Sequence, residues 1–153
     1  MSRSVTSVVL VCLALGVGVA DAQDHWTEGP AWACSSYRTL PGQFEDYMLY
    51  LREFYLPMME TGKQQGLIID HKVFVQDPTG PDDWDVLFCT LFPNFGAAMD
   101  YNAEIEAKWD TIAAEQYKTD DEEEQREMIK PRFEMRTFLG SSYIREVSLR
   151  PLE

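Results

Sequence analysis

His71 is the residue in this chain best suited to acid–base chemistry, and it lies in the stretch GLIIDHKVFVQ at 66–76. A neutral imidazole titrates at about pH 6.5, so it could act as a general base towards an acidic phenol or enol. Its neighbours on one face of an alternating strand are Leu67, Ile69, Val73 and Val75. A lone histidine without a recognisable partner also fits a hydrogen-bonded residue of the core or of an interface. Two interpretations of His71 are therefore open, a catalytic base and a structural histidine.

A second set of residues could line a binding pocket, because pockets are commonly aromatic with a few polar groups. The candidates that offer rings or hydroxyls are Trp84, Phe88, Phe92, Tyr101, Trp109 and Tyr143. Arg38 could hold a carboxylate or a phenolate if its side chain points inwards, or it could lie at an exposed edge. Cores and dimer interfaces are aromatic as well, so the same rings also fit a filled interior.

Other kinds of chemistry lack their sequence motifs. The two histidines, His25 and His71, lie far apart, and no cluster has the spacing of metal ligands. The aspartates of the loop 76–85 lack the alternating oxygen ligands of a calcium loop. There is no Gly-x-Ser-x-Gly nucleophile elbow and no cysteine close to a histidine. The sequence therefore predicts neither a metal site nor a cofactor.

The charge of the chain limits its partners. Its 153 residues carry 26 acidic and 13 basic side chains, a formal net charge of −13. Such a surface repels nucleic-acid phosphates and anionic lipids. We therefore expect neither nucleic acid nor a membrane surface as a partner, and we attribute the charge to solubility.

The first 22 residues have the pattern of a secretory signal peptide. Arg3 precedes the apolar run SVVLVCLALGVGVA, and Ala20-Asp21-Ala22 is a small-x-small cleavage site. Cleavage near Ala22 would release a secreted or periplasmic protein. We expect an N-terminal extension at 23–30 and then a single domain at 31–153.

Alternation and helical spacing predict the elements of this domain. Strands are predicted at 31–40, 67–76, 84–92 and 141–150. Helices are predicted at 43–66, from Asn94 onwards, and at 120–139. Pro57 should kink the first helix, and Asn94 should cap the second. A Thr119-x-x-Glu122 capping box should open the third helix, Pro131 should bend it and Gly140 should end it.

The resulting order, β-α-β-β-α-(α)-β, predicts an α+β fold with one four-stranded antiparallel sheet and helices on one face. In this split βαβ arrangement the third strand lies between the first two, and the first strand also pairs with the fourth. Cys34 would lie early in the first strand and Cys89 late in the third, so antiparallel pairing brings the two together. They could form a disulfide or remain two buried thiols.

Three stretches carry a resemblance to a known family: YRTLPGQFEDYMLYLREF, GLIIDHKVFVQD and DWDVLFCTLFPNFGAAMD, followed by FLGSSYIREV near the end. The chain resembles the dimeric α/β-barrel (ferredoxin-like) superfamily, which includes antibiotic-biosynthesis-monooxygenase-like and stress-responsive barrel proteins. The resemblance implies a homodimer whose two sheets face each other, each enclosing a pocket. Members use the pocket for cofactor-free oxidation of aromatic polyketides, for cyclisation or for haem degradation. No catalytic set is common to the family, and a helical insertion at about 113–140 departs from its compact pattern.

Two functions follow as expectations. The first is an exported homodimer that binds a small aromatic or hydrophobic molecule in its barrel, with His71 as the base of any cofactor-independent chemistry. The second is a non-catalytic interaction or structural dimer with a filled interior. Haem handling is a further alternative, suggested only by the fold.

Overall fold

A computed structural model of the chain describes residues 25–152. The predicted signal peptide at 1–22 lies outside these residues, as do the first two residues of the predicted extension. None of the helices in the described range is long and apolar enough to span a membrane.

The described range contains four strands, six α-helices and one π-helical segment. The strands are β1 (Trp26–Thr39), β2 (Asp70–Val75), β3 (Val86–Phe92) and β4 (Arg136–Leu149). The first helix consists of α1 (Phe44–Tyr50), the π segment (Leu51–Tyr55) and α2 (Leu56–Gln64). The later helices are α3 (Phe95–Met99), α4 (Ala103–Tyr117), α5 (Glu122–Ile129) and α6 (Pro131–Met135). The strands form one antiparallel sheet in the order β2-β3-β1-β4, so the α+β class predicted from the sequence is confirmed.

Strands β1 and β4 are longer than predicted, because each supplies the other with backbone partners. Strand β1 begins within the predicted extension, where Trp26 pairs with Leu149. Strand β4 begins at Arg136, which pairs with Thr39. The prediction of a helix up to residue 139 is therefore wrong, and Gly140 does not end a helix. Gly140 lies in β4 at φ 158°, beside a register shift in the β1–β4 pairing, where the missing Cβ tolerates the irregular backbone.

The first helix continues through Pro57 instead of ending there. Proline cannot donate a backbone hydrogen bond, and the wider turns of the π segment immediately precede α2, which carries Pro57 in its first turn. The helix ends before Gly66, whose φ of 71° suits a glycine after a helix C-terminus. A change of helical winding thus lies immediately before Pro57, where the sequence predicted a kink.

Capping side chains divide the remaining helical region. The Asn94 side chain accepts a hydrogen bond from the backbone N–H of Ala97 at 2.9 Å, so Asn94 caps α3 as predicted. Asn102 then caps a separate helix, α4, which breaks the predicted second helix in two. Asp121, rather than Thr119, caps α5 by accepting from the backbone of the first turn. A short polar side chain can accept a hydrogen bond from the free backbone N–H groups of a first helical turn, so each such residue in this region can start a new helix.

The core lies between the first helix and the sheet. Tyr47, Leu51 and Val86 are its buried centre. The Asp85 carboxylate, also buried, accepts from the Thr39 backbone N–H at 2.9 Å and joins the end of β1 to the start of β3.

The two cysteines that follow the predicted signal peptide are bonded to each other. Cys34 and Cys89 occupy directly paired positions of β1 and β3 and form a disulfide in the structure. This bond crosslinks the two central strands of the sheet.

Candidate functional site

The helices cover the sheet face on which Phe88 lies. The ring of Phe88 stacks on Tyr55 of the first helix with centroids 4.6 Å apart. Val73 is the cross-strand partner of Phe88, and His71 lies two residues before Val73. Because side chains two residues apart share a face, His71 also points towards the helices. The opposite face, here called the open face, carries Trp32, Phe74, Leu87 and Ile144.

His71 has a partner that lies eleven residues earlier in the chain. Its Nε2 lies 2.9 Å from Oε1 of Glu60 on α2, and its side chain is 9% exposed. The Tyr55 ring meets the imidazole edge-on, with centroids 6.1 Å apart. A hollow of about 260 Å³ at the β2 edge borders His71. The geometry is that of a hydrogen-bonded histidine between helix and sheet, while a catalytic role for it stays a prediction.

The structure separates most of the residues predicted to line a pocket. Phe92, Tyr101 and Trp109 border a hollow of about 690 Å³ beside α3 and α4. Trp84 borders a different hollow, of about 670 Å³, over the open face. These residues therefore belong to two surfaces, and Phe88 belongs to neither.

Arg38 and Tyr143 also lie away from Phe88. The Arg38 guanidinium donates to the backbone carbonyl of Asp83 at 3.0 Å, which ties it to the loop before β3. The Tyr143 side chain is exposed on β4. Neither residue contributes to an enclosed site in the described structure.

A cavity of about 190 Å³ lies between the helices and Phe88, and we call it the tyrosine cavity. Its apolar walls are Leu51, Phe54, Met58, Met59 and Phe88. Its polar groups belong to Tyr47, Tyr50, Tyr55, Tyr117, Arg132 and Arg136. Of the residues singled out in the sequence as pocket candidates, Phe88 alone lines this cavity.

Three separate parts of the chain supply the polar groups. The first helix contributes three tyrosines from α1 and the π segment, and the last residue of α4 contributes Tyr117. The two arginines lie four residues apart, with Arg132 in α6 and Arg136 at the start of β4. The unpredicted early start of β4 thus brings Arg136 to the cavity.

Arg136 is enclosed by aromatic rings. Its guanidinium lies 3.5 Å from the ring centroid of Tyr37 and 5.0 and 5.5 Å from those of Tyr47 and Phe88. It also donates a hydrogen bond to the Tyr47 hydroxyl. A cation over ring faces is attracted by their quadrupoles, so the rings stabilise the charge and restrict its orientation.

Burial keeps Tyr47, Tyr55 and Tyr117 protonated at neutral pH. Burial raises the pKa of Tyr47 and of Tyr55, although the neighbouring Arg136 cation partly opposes the effect at Tyr47. Burial, with a contribution from Tyr50, raises the pKa of Tyr117 to about 12. These hydroxyls can therefore donate hydrogen bonds, but none is a general base near neutral pH.

Two buried polar atoms of the cavity lack a hydrogen-bond partner of normal geometry. One is Nε of Arg132, and the other is the hydroxyl oxygen of Tyr55. The Thr90 side chain lies close enough to the Tyr55 hydroxyl to lower its pKa slightly, without forming a bond of good geometry. Buried polar groups are normally paired, so unpaired donors are unusual in a protein interior.

The sequence contained only a weak indication of this site. Tyr47 and Tyr55 belong to a helical stripe that equally describes a core, and Arg132 and Arg136 resemble cations placed near a helix C-terminus. Their convergence depends on contacts such as that between Tyr47 and Arg136, which lie 89 residues apart.

Among residues 25–152, no group of three or more His, Cys, Asp and Glu side chains is arranged to hold a metal ion.

No protein-family profile, curated protein or solved structure matches this chain. The four-stranded antiparallel sheet with its helices is compatible with an α+β ferredoxin-like fold.

Proposed function

We propose that this protein binds a small aromatic or hydrophobic molecule in the tyrosine cavity. The observation that carries the proposal is a partly open space between helices and sheet in which aromatic and methionine walls surround a few polar groups. Such a combination is typical of small-molecule sites. An apolar cavity of about 150 Å³ accepts benzene, so a space of about 190 Å³ suits one substituted ring.

Binding is better supported than catalysis. The hydroxyls of Tyr47, Tyr55 and Tyr117 are neutral donors, because burial raises the pKa of each. The imidazole of His71 lies in the neighbouring hollow with Glu60 as its partner. Leu51 and Tyr55 border both spaces and stand between them. Cofactor-independent chemistry with His71 as base is the alternative. It predicts that a folded His71→Ala protein loses turnover but keeps ligand binding.

A cavity-filling substitution tests the proposal directly. Met59→Trp places a larger side chain in the cavity wall, whereas Met128→Trp adds the same ring at an exposed position of α5. A panel of single-ring compounds, both charged and neutral, is titrated by ligand-observed NMR. We expect binding to the parent and to Met128→Trp, and none to a folded Met59→Trp protein. Binding to none of the three proteins, or equal binding to all three, would refute the proposal.

We further propose that the chain forms a homodimer through its open face. Phe74 and Ile144 on this face are 45% and 54% exposed. Lys72 and Glu146 flank the hollow over it, so this face carries charges of both signs, and an isologous contact would bring the same face of both copies together. This arrangement agrees with the dimer implied by the family resemblance. Light scattering should show a dimer for the parent and a monomer for Ile144→Lys, with Leu152→Lys as the control for added charge.

We also propose that the mature protein is exported. The disulfide between Cys34 and Cys89 suits an oxidising compartment. Mass spectrometry of the protein from its native source should find a mature N-terminus near Gln23. An intact N-terminus at Met1 would contradict this proposal.

A further inference from the structure

We infer that the ligand of the tyrosine cavity is an aromatic anion, a single ring bearing a carboxylate or a similar acidic group. The inference rests on the proposed function, because it concerns the same cavity. It adds the charge of the ligand and the residues that recognise this charge, Arg132 and Arg136.

Neither arginine has an acidic partner in the described part of the chain. The chain has twice as many acidic as basic side chains, 26 against 13. None of the ion pairs in the described part of the chain involves Arg132 or Arg136. No carboxylate lines the cavity either. The protein therefore places two cations beside one small space and leaves their charge uncompensated by its own residues.

Arg136 is already held in place by its neighbours. Its guanidinium rests against three rings and donates to the Tyr47 hydroxyl. A guanidinium has five N–H donors in a planar fork that matches the two oxygens of a carboxylate. An arginine fixed before binding loses little side-chain freedom when the ligand arrives.

The other polar groups of the lining residues are also donors. Nε of Arg132 and the Tyr55 hydroxyl are buried without a normal hydrogen bond, and both can donate. Because burial raises the pKa of Tyr55 and Tyr117, both hydroxyls keep their protons at neutral pH. The residues that line the cavity thus supply cations and protonated hydroxyls but no anionic acceptor, which favours an anion and disfavours an amine.

The apolar walls select the remainder of the ligand. Phe54 and Phe88 add apolar surface, and Met58 and Met59 present polarisable thioethers that pack well against an aromatic ring. A free inorganic anion would leave these walls unoccupied. The site therefore combines cationic groups with apolar walls.

The experiment compares three probes of similar size: benzoate, benzamide and benzylammonium. They are titrated calorimetrically at neutral pH into the parent protein and into Arg132→Met, Arg132→Lys and Arg126→Met. Arg126 is the matched control, because it is exposed on α5 and paired with Glu123 away from the cavity. Since hydrogen bonds to charged groups are the stronger ones, we expect benzoate to bind the parent about 10- to 100-fold more tightly than benzamide.

The variants should separate the role of the charge from that of the fold. We expect Arg132→Met to lose most of the preference for benzoate, Arg132→Lys to keep part of it, and Arg126→Met to keep all of it. Circular dichroism shows whether each variant is folded. Arg136→Met provides a second test if Arg132→Met does not fold.

The two proposals fail in different ways. If benzamide or benzylammonium binds the parent as tightly as benzoate, the inference of an anionic ligand is overturned, while binding of a ring compound in the cavity stands. Equal benzoate affinity in folded Arg132→Met and Arg126→Met would also overturn it. If none of the three probes binds, and none of the wider panel does, the proposed function itself is wrong.

Discussion

Replacing Gly62 by alanine should destabilise the protein, although alanine is the better helix former. Gly62 is buried in α2, where it faces Trp109 of α4. A Cβ added at this position would lie 2.2 Å from Cη2 and 2.8 Å from Cζ3 of the indole ring. Carbon atoms prefer separations of about 3.5–4.0 Å. Either the ring or one of the two helices must therefore move by about 1 Å or more.

The size of the effect follows from two opposing contributions. Alanine in a helix interior gains about 1 kcal/mol over glycine. Overpacking a well-filled contact costs about 1–3 kcal/mol and sometimes more, and here the obstructing atoms belong to a rigid ring instead of the end of a flexible chain. The rigid ring places the cost in the upper part of this range, about 2–3 kcal/mol, so we expect a net loss of roughly 1–2 kcal/mol in the free energy of unfolding. Helices α2 and α4 also supply Met58 and Tyr117 to the tyrosine cavity, so ligand binding should weaken in the same variant.

Urea unfolding followed by far-ultraviolet circular dichroism measures this loss without relying on the fluorescence of Trp109. Gly80→Ala is the matched control, because the nearest atom to its added Cβ is 3.7 Å away. In a Trp109→Leu background, which removes the obstructing ring, Gly62→Ala should become neutral or stabilising. A Gly62→Ala protein as stable as its parent would show that the close packing of α2 on α4 has been misjudged.

Three further predictions concern single contacts. Replacing Cys34 and Cys89 together by alanine should lower the free energy of unfolding by about 4 kcal/mol, the loop-closure value for a separation of 55 residues, and an unchanged urea midpoint would contradict this. Asp85→Ala should lower the free energy of unfolding by about 1–3 kcal/mol, because the buried backbone N–H of Thr39 loses its acceptor. Urea unfolding should show a smaller loss for Asp85→Asn, because the asparagine side chain keeps one acceptor oxygen. Burial raises the pKa of Tyr117 from 10.0 to about 12, so its contribution to stability is complete below pH 10 and is lost as the pH rises towards 12. In the Tyr117→Phe variant, phenolate absorbance measured against pH should therefore show one fewer tyrosine titrating at high pH. An unchanged titration curve would count against the assignment.

Local patterns predicted the type of each element better than its ends. Alternation and helical spacing identified the α+β class, and the short polar side chain of Asn94 correctly marked the start of a helix. The ends were missed where pairing across the sheet decided them. Arg136 extends β4 because Thr39 offers it a backbone partner, and no feature near residue 136 reveals that partner.

The candidate site was predicted less well than the fold. Phe88 is the one predicted pocket residue that lines the tyrosine cavity. Rings such as Trp84 and Tyr101 were reasonable candidates by residue type, but the fold distributes them over separate surfaces. Residue type indicates what a side chain could bind, whereas convergence on one space depends on helix packing.

By itself, the sequence determined the acidic charge, the kinds of element and the alternation that gives each strand two faces. Only the tertiary structure decided which face the helices cover, and therefore that His71 points towards Glu60 rather than towards the open face. It likewise decided that Arg136 turns inwards onto Tyr47 and that Cys34 and Cys89 form a disulfide instead of remaining two buried thiols. The physical reason is common to all three. Local spacing determines the direction of a side chain relative to its own backbone, but its surroundings come from residues that are distant in the chain.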